Sequence, residues 1–586
     1  MRGLVRGMGV LAALAVGWAG AAGRAADEAG GTFRSRVVVC QQQDAADAGR
    51  DAMRAGGNAV DAAVATAFAL AVTHPAAGNI GGGGFLVAYL AEPKEVITVD
   101  FREAAPGAST PRMYLDKDGK ILPKHRAGPR AAGVPGTVRG LGLAHARYGK
   151  RPWADLVLPA IRLAHDGFVV SETLARSLNA QVQPRTAKTP GAAVPEDLGT
   201  GPDRLADFAA SVAAYGKPDG SPWQAGDRLI QADLASTLTR IAAAGPNEFY
   251  TGPTARKLVD HMQAHGGLIT MADLAAYEPK IRPPVHGTFK GFDVWGMGPV
   301  GSGGVVILEA LNILERYDLK ADGPTSPRTV HRVAEAMRRG FYTRATAIAD
   351  PDFVPVPVAK LTSKPYADTL AASITDRATP SASLAPFPID VVEGTQTTHL
   401  STLDDRGNAV ALTYTLEEGY GSKSVVAGAG FLLNNEMGDF NLIPGRTDTA
   451  GRVGTPPNLI APGKRMLSSM APTLVLKEGK VRMVTGSPGG RTIPNTTLWV
   501  LLNVLEFGLP PRDAVDARRT HHQWFPDVLN LEGKWDQATL DALTAMGHKL
   551  KVGGIQGDAH TIVVDEAGTI HGVPDRRRVT SRASGD

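Results

Sequence analysis

The sequence predicts an α+β fold, with helices gathered ahead of a loose joint near residue 396 and short strands gathered after it. Three observations carry this reading. Ahead of the joint, apolar residues recur at helical spacing over long stretches. Across 373–396, Pro380, Pro386 and Pro388 stand among Ala, Ser and Thr, the composition of an extended linker. Beyond the joint, short apolar runs face one another across turn-forming residues, the pattern of hairpins.

The elements follow in chain order. Residues 36–40 predict a short buried strand, and 45–55 a helix stopped by Gly56-Gly57. Asn58 then caps a second helix over 59–72, so apolar that it must be buried on most sides. Gly78-Asn-Ile-Gly-Gly-Gly-Gly84 leads into a strand at 85–90. Amphipathic spacing predicts helices over 156–166, 231–244, 254–266, 304–317 and 329–346, with Pro159 in the first turn of the first of these. After the linker, 399–403 and 409–415 pair across Asp404-Asp-Arg-Gly-Asn408. Hairpins are also expected at 473–485 and 560–573. No internal repeat is visible.

The 586 residues, 43% hydrophobic and 20% charged, read as a soluble globular protein of two large halves or one unusually large domain. A net charge of +4 on this length, without a basic run interleaved with aromatics, points away from nucleic acid. Arg2 and Arg6 precede an apolar stretch at 8–22 that contains Ala19-Gly20-Ala21. That is the layout of a secretory leader, residues 1–21, with a boundary that could extend to about residue 26. A membrane anchor is the other reading, but the run is short for a span. The lone Cys40 excludes an internal disulfide, which fits a bacterial periplasmic or secreted protein.

The joint is where chemistry could sit. A threonine hydroxyl is a poor nucleophile without a neighbouring base. If Thr397 became the first residue of a new chain, its own α-amine could take the hydroxyl proton. Gln396-Thr397 lies after a linker and before a strand, as such a cleavage requires, although an ordinary strand edge has the same local look.

The neighbourhood is more specific. Thr397-Thr-His-Leu-Ser401, Gly407-Asn-Ala-Val410, Thr413-Tyr-Thr-Leu416 and Leu432-Leu-Asn-Asn-Glu-Met-Gly-Asp-Phe440 resemble the small-subunit start of γ-glutamyltransferases. Leu467-Ser-Ser-Met470, Gly486-Ser-Pro-Gly-Gly490 and His521-His-Gln-Trp524 continue the match. Gly56-Gly-Asn-Ala-Val-Asp-Ala-Ala63, Gly81-Gly-Gly-Gly-Phe85 and Asp100-Phe-Arg-Glu103 resemble the family's large subunit. The resemblance runs from about residue 37 to 575. It implies a four-layer αββα sandwich of the N-terminal-nucleophile hydrolase type, cut into subunits 22–396 and 397–586 that share one core.

The resemblance also implies roles. Cleavage would fall between Gln396 and Thr397, and Thr397 would then carry the γ-glutamyl group of glutathione or another γ-glutamyl compound to water or to an amino acid or peptide acceptor. Thr415 would hydrogen-bond the nucleophile. Gly489 and Gly490 would form the oxyanion hole, where the lack of a Cβ lets backbone N–H groups approach. Arg102 would clamp the donor's α-carboxylate, a task suited to a bidentate guanidinium. Ser468 and Ser469 would add hydroxyl donors, and Glu417, Glu436 and Asp439 would hold the α-ammonium. Some relatives carry Asn and Gln at the first two of these, so the site here is expected to be more acidic.

Two departures stand out. The loop at 441–465, which carries an aromatic gate in relatives with a lid, has none here, and Ala450 stands near the gate position. A more open pocket and stronger hydrolysis are expected. Gly438 replaces an acidic residue often found before Asp439, with little consequence expected. Other signals point to structure: the pair His521 and His522 lacks a third zinc ligand, Asp116-Lys-Asp-Gly119 reads as a turn, and Gly81–Gly84 lacks the residues of a phosphate loop. No cofactor, metal, nucleic acid or remaining membrane anchor is expected. The rivals are an acylase of the same fold acting on glutaryl or β-lactam side chains, and an unprocessed exported binding protein.

Overall fold

The computed structural model describes residues 30–184, 203–384, 396–447 and 454–586. The expected leader, part of the linker and Ala450 lie outside them. Among the described residues, two seven-stranded antiparallel sheets lie at the centre. The first runs in the order Arg582–Gly585, Val37–Cys40, Gln396–Leu403, Ala409–Glu417, Gly83–Leu90, Glu95–Phe101, Lys280–Arg282. The second runs Gly31–Phe33, Ile570–Pro574, His560–Val564, Lys480–Thr485, Thr473–Lys477, Phe292–Gly296, Val285–Phe289.

Strand alternation assigns the layers. Val38, Leu86, Leu400 and Leu412 pack in one core with the helices Gln43–Arg54 and Ala59–Thr73. Val39, Phe85, Val87 and Ala411 pack in a second core with the other sheet and with the helices Gly303–Leu314, Pro327–Ala347 and Thr492–Leu505. Successive side chains point to opposite faces of a strand, so the first sheet is covered on both sides. The outcome is the expected four layers, helix, sheet, sheet, helix.

The helix Ala59–Thr73 is buried at all 15 positions. Each Val, Leu or Phe taken fully out of water contributes about 1.5–3 kcal/mol, which outweighs any difference in helix propensity along it. Its start is fixed twice. Asn58 accepts from Val60 N and Asp61 N, and Asp61 accepts from Asn58 N, closing a capping box. Across the core, Asp404 accepts from Ala59 N at 3.0 Å and Thr402 Oγ1 donates to Ala59 O at 2.9 Å. The hairpin that follows Thr397 is thereby tied to the first helical layer.

Three expectations need correction. The helix expected at 156–166 spans Trp153–Asp166, so Pro159 is interior rather than in the first turn. Trp153 packs edge-on to Phe68 with ring centroids 5.4 Å apart, and this contact draws the helix one turn further back despite the hydrogen bond that the proline removes. The linker is anchored over its first part: Ser381 N and Oγ bond Asp527 Oδ2 and Trp524 O, and Thr379 N bonds Glu335. Strands ahead of residue 396 are also more numerous than the two expected at 36–40 and 85–90. Each sheet interleaves strands from both sides of the joint, since pairing follows shape and burial rather than chain order.

Candidate active site

The strand Gln396–Leu403 lies between Val37–Cys40 and Ala409–Glu417, near the middle of the first sheet. Its register is regular from Leu403↔Ala409 to Thr398↔Tyr414, then slips, with Gln396 opposite Glu417. The facing strand has one residue in excess there, a bulge that breaks the ladder at Thr397. Thr397 and Thr415 are both buried, and the Thr397 hydroxyl donates to Thr415 Oγ1 at 3.5 Å. Thr415 Oγ1 also accepts from Glu417 N at 2.8 Å, a bond that fixes its orientation. Glu417 adopts φ 81°, an uncommon conformation for a residue with a Cβ. Behind Thr397, Thr398 Oγ1 donates to Gln41 Oε1 at 2.9 Å and Gln41 Nε2 to Asp558 Oδ2 at 2.9 Å, fixing the strand against a segment much further along the chain.

The two threonines open onto a cavity. Every substrate-binding residue inferred from the sequence lines it: Arg102, Glu417, Glu436, Asp439, Ser468 and Ser469. Gly490 lines it too, whereas Gly489 lies one residue behind. The strand Glu95–Phe101 delivers Arg102, and a single 3₁₀ turn, Glu436–Asp439, delivers both of its acids.

The charges are paired before any substrate arrives. Arg102 Nη1 lies 2.7 Å from Glu436 and Nη2 2.5 Å from Asp439, with Glu103 at 3.5 Å. Burial favours the neutral form of Arg102, but Glu436, Glu103 and Asp439 outweigh it and raise its pKa. Burial pushes Glu103 up to about 7 and Glu436 well above the usual carboxylate range, both against the pull of Arg102. Glu417 is pushed up to about 8 by burial, opposed by Arg126. Glu417 Oε2 has no hydrogen-bond partner among the described residues.

On the other side, Gly489 and Gly490 adopt φ 132° and 55°. A Cβ on Gly489 would meet Thr492 Oγ1 at 2.5 Å. The helix Thr492–Leu505 begins immediately after them, so its positive end faces the cavity. The glycines at 81–84 serve packing, as expected: a Cβ on Gly82 would lie 2.0 Å from Thr415 O, and one on Gly81 2.1 Å from Leu432 O.

Several contributors carry no sequence signal. Arg344 and Arg491 line the cavity. Asn458 donates to Asp439 O at 2.8 Å and accepts from Leu467 N at 3.0 Å, bracing the acids against the serine pair. Arg126 bonds Glu417 from a loop outside every motif. His521 is engaged by Asn495 and Gln523, and His522 by Trp524 N and Asp527, consistent with structural roles. Asp116 Oδ1 accepts from Asp118 N and Lys120 N in a turn. One group with metal-ligand chemistry, His331, Glu335 and His548, lies elsewhere; His331 bonds His548 and Thr375 O, and Glu335 pairs with Arg338 and Arg339.

This arrangement can be set beside known proteins. The model of the gamma-glutamyltranspeptidase family matches residues 45–585. The chain belongs to the γ-glutamyltranspeptidase family. A relative in Escherichia coli (strain K12), a glutathione hydrolase proenzyme, is 42% identical over 555 residues, covering 94% of this chain and 91% of its own. Among solved structures, a cephalosporin acylase from Bacillus halodurans superposes with TM-score 0.80 at 27% identity, covering 95% of this chain and 97% of that one. The gamma-glutamyltranspeptidase of Helicobacter pylori does so with TM-score 0.55 at 39% identity, covering 61% and 95%. The γ-glutamyltranspeptidase motifs at 100–103, 432–440 and 467–470 are thus far apart in sequence but meet around one cavity.

Proposed function

We infer that the protein is a γ-glutamyltransferase and glutathione hydrolase with Thr397 as its nucleophile. The observation that carries this reading is the cavity itself. A threonine hydroxyl at a broken ladder faces a binding surface that holds three arginines, Arg102, Arg344 and Arg491, and three carboxylates. The proenzyme name of the Escherichia coli relative supports the processing step. Thr397 Oγ attacks the Gln396 carbonyl, and the C–N bond breaks as the acyl group moves to oxygen. The departing nitrogen takes the hydroxyl proton and becomes the Thr397 amine, and water then hydrolyses the ester to give the free Thr397 hydroxyl and the Gln396 carboxylate. In the mature enzyme this amine takes the hydroxyl proton as Oγ attacks the donor's γ-carbonyl. The N–H groups of Gly489 and Gly490 hold the oxyanion, the leaving amine departs protonated, and water or an acceptor amine resolves the γ-glutamyl ester.

The pre-paired charges favour a zwitterionic donor. A donor's α-carboxylate can replace an acid on Arg102 while its α-ammonium takes the released Asp439 or Glu436. Charge stays balanced through the exchange. A glutaryl donor brings the carboxylate alone, so an acid displaced from Arg102 gains no ammonium in exchange, which disfavours that donor. Comparing kcat/KM for γ-glutamyl and glutaryl p-nitroanilides tests this. The reading requires a strong preference for the γ-glutamyl compound; preference for the glutaryl one would make the protein an acylase. Export through residues 1–21 to the periplasm or medium, and assembly of 22–396 with 397–586, belong to the same proposal. So does readier hydrolysis behind a loop without an aromatic gate, which comparison of the transfer-to-hydrolysis ratio with an aromatic-gated relative would check.

Two further outcomes follow. Gly489→Ala places a Cβ against Thr492 at a φ that side chains rarely adopt. Tilting the oxyanion donors should lower kcat about 100-fold or more, with a smaller change in KM. Glu417 and Glu436, both raised by burial, lose their charge as pH falls and then no longer hold an ammonium. The kcat/KM profile for γ-glutamyl donors should therefore fall on the acidic side of about pH 8, and Glu417→Gln should remove part of that fall. The Thr397 amine, with an ordinary pKa of about 7.7–8.0, titrates nearby. It affects glutaryl donors equally, so the two contributions separate by donor.

A further inference from the structure

Arg126 is absent from the motifs and does not line the cavity, yet it is built into the cavity's wall. Its loop is held by Asn435 Nδ2, which donates to Arg126 O at 3.1 Å, and by Gly128 N, which donates to Ser422 O at 2.8 Å. Its Nη1 donates to Glu417 Oε1 at 2.6 Å and to Glu418 Oε1 at 3.1 Å. Glu417 lies almost wholly out of water, and its other oxygen, Oε2, has no hydrogen-bond partner among the described residues. Glu417 is also a lining residue. Its own N–H holds Thr415, so its placement bears on the nucleophile as well as on the donor.

Gly438 belongs to the same unit. A Cβ on Gly438 would lie 3.3 Å from Arg126 Cζ and 3.5 Å from Nε and Nη2. The guanidinium is therefore seated against the bare backbone of the turn that carries Glu436 and Asp439. The sequence reading gave the replacement at 438 little consequence. The position touches Arg126, so a side chain there would press on the guanidinium and require it to shift.

We propose that Arg126 is a positioning residue that sets donor specificity: it binds Glu417 Oε1 and fixes Oε2 to receive the α-ammonium of the donor. The proposal rests on the γ-glutamyl reading of the site. The charged groups facing Glu417 are Arg126 from its loop, Glu418 beside it, Glu436 and Asp439 from the 3₁₀ turn, and Lys423 from the next turn. Three of these are acids, and burial depresses the ionisation of Lys423. Arg126 is the neighbouring cation in direct contact with Glu417. A buried carboxylate needs such a partner.

The test measures kcat/KM for γ-glutamyl and glutaryl p-nitroanilides across pH in the processed wild type, Arg126→Met, Arg126→Lys, Glu417→Gln and the double variant Arg126→Met with Glu417→Gln. In Arg126→Met the γ-glutamyl-to-glutaryl preference should shrink about 10- to 100-fold, mainly through KM. The acidic limb should move to higher pH for the γ-glutamyl donor alone, and Arg126→Lys should restore most of both effects. In the Glu417→Gln background, losing Arg126 should shrink the preference no further. Equal losses for both donors, an unmoved limb, or full additivity with Glu417→Gln would overturn the proposal and leave Arg126 a packing residue. A wild type that turns over the glutaryl compound but not the γ-glutamyl one would instead overturn the reading on which the proposal rests.

Discussion

Thr397→Ala should yield a single uncut chain with no measurable γ-glutamyl transfer. The Thr397 oxygen is used twice, first against the Gln396 carbonyl and then against the donor, and alanine supplies no atom for either step. The loss of turnover should reach about 10⁴-fold or more, as when a covalent nucleophile is removed elsewhere. The fold should survive. The exchange removes a hydroxyl and a methyl from a buried position at a broken ladder, where the Thr397 hydroxyl makes one long contact to Thr415. Gel electrophoresis, a donor assay and a circular dichroism spectrum would check all three statements. Thr397→Ser keeps an oxygen and should still be cut, more slowly. A cut chain in Thr397→Ala would contradict the account.

Arg102→Met should be the most damaging change to binding. It leaves Glu103, Glu436 and Asp439 facing one another without the cation that now touches all three. Breaking a buried pair in this way costs about 3–5 kcal/mol, equivalent to two to nearly four powers of ten in kcat/KM where the lost contact also binds the donor. The stability loss should depend on pH, and its sign follows from the acids. Glu103 and Glu436 are raised above their unfolded values even with Arg102 in place. Below the unfolded pKa of about 4.3 both states hold these protons, so the variant loses little to charge there. The deficit grows as pH rises through the folded values, about 7 for Glu103, and further still once the arginine is gone. Thermal unfolding of variant and wild type at acidic, neutral and alkaline pH would show a gap that widens with pH. A gap that narrows would mean that the acids are not carrying the penalty.

Much of this was legible in the sequence, for specific reasons. The helix at 59–73 announced its burial because it has almost no polar residue and begins with a capping asparagine. The hairpin at 396–417 was legible because a turn rich in Asp, Gly and Asn separates two β-prone runs, although the strand begins at Gln396, three residues before the expected start. The candidate site residues were found through motifs, and they meet around one cavity. The interleaving of strands from both halves was not legible, since strand order in a sheet is a tertiary choice. Neither were the pairings within the site. The motifs named Arg102, Glu436 and Asp439 separately, and nothing in their spacing showed that the arginine pairs with both acids. Arg126, Arg344, Arg491 and Asn458 fall outside the motifs, and only folding brings them to the cavity or to the residues that line it. Gly438 shows the same limit, because its meaning depends on the arginine packed against it.

The central claim is that the chain opens itself at Thr397 to make its nucleophile. Intact mass and N-terminal sequencing of the purified wild-type protein test it most directly. The account predicts two fragments that copurify, the smaller beginning Thr-Thr-His-Leu-Ser. A single uncut chain, or a smaller fragment that starts at any other residue, would contradict it.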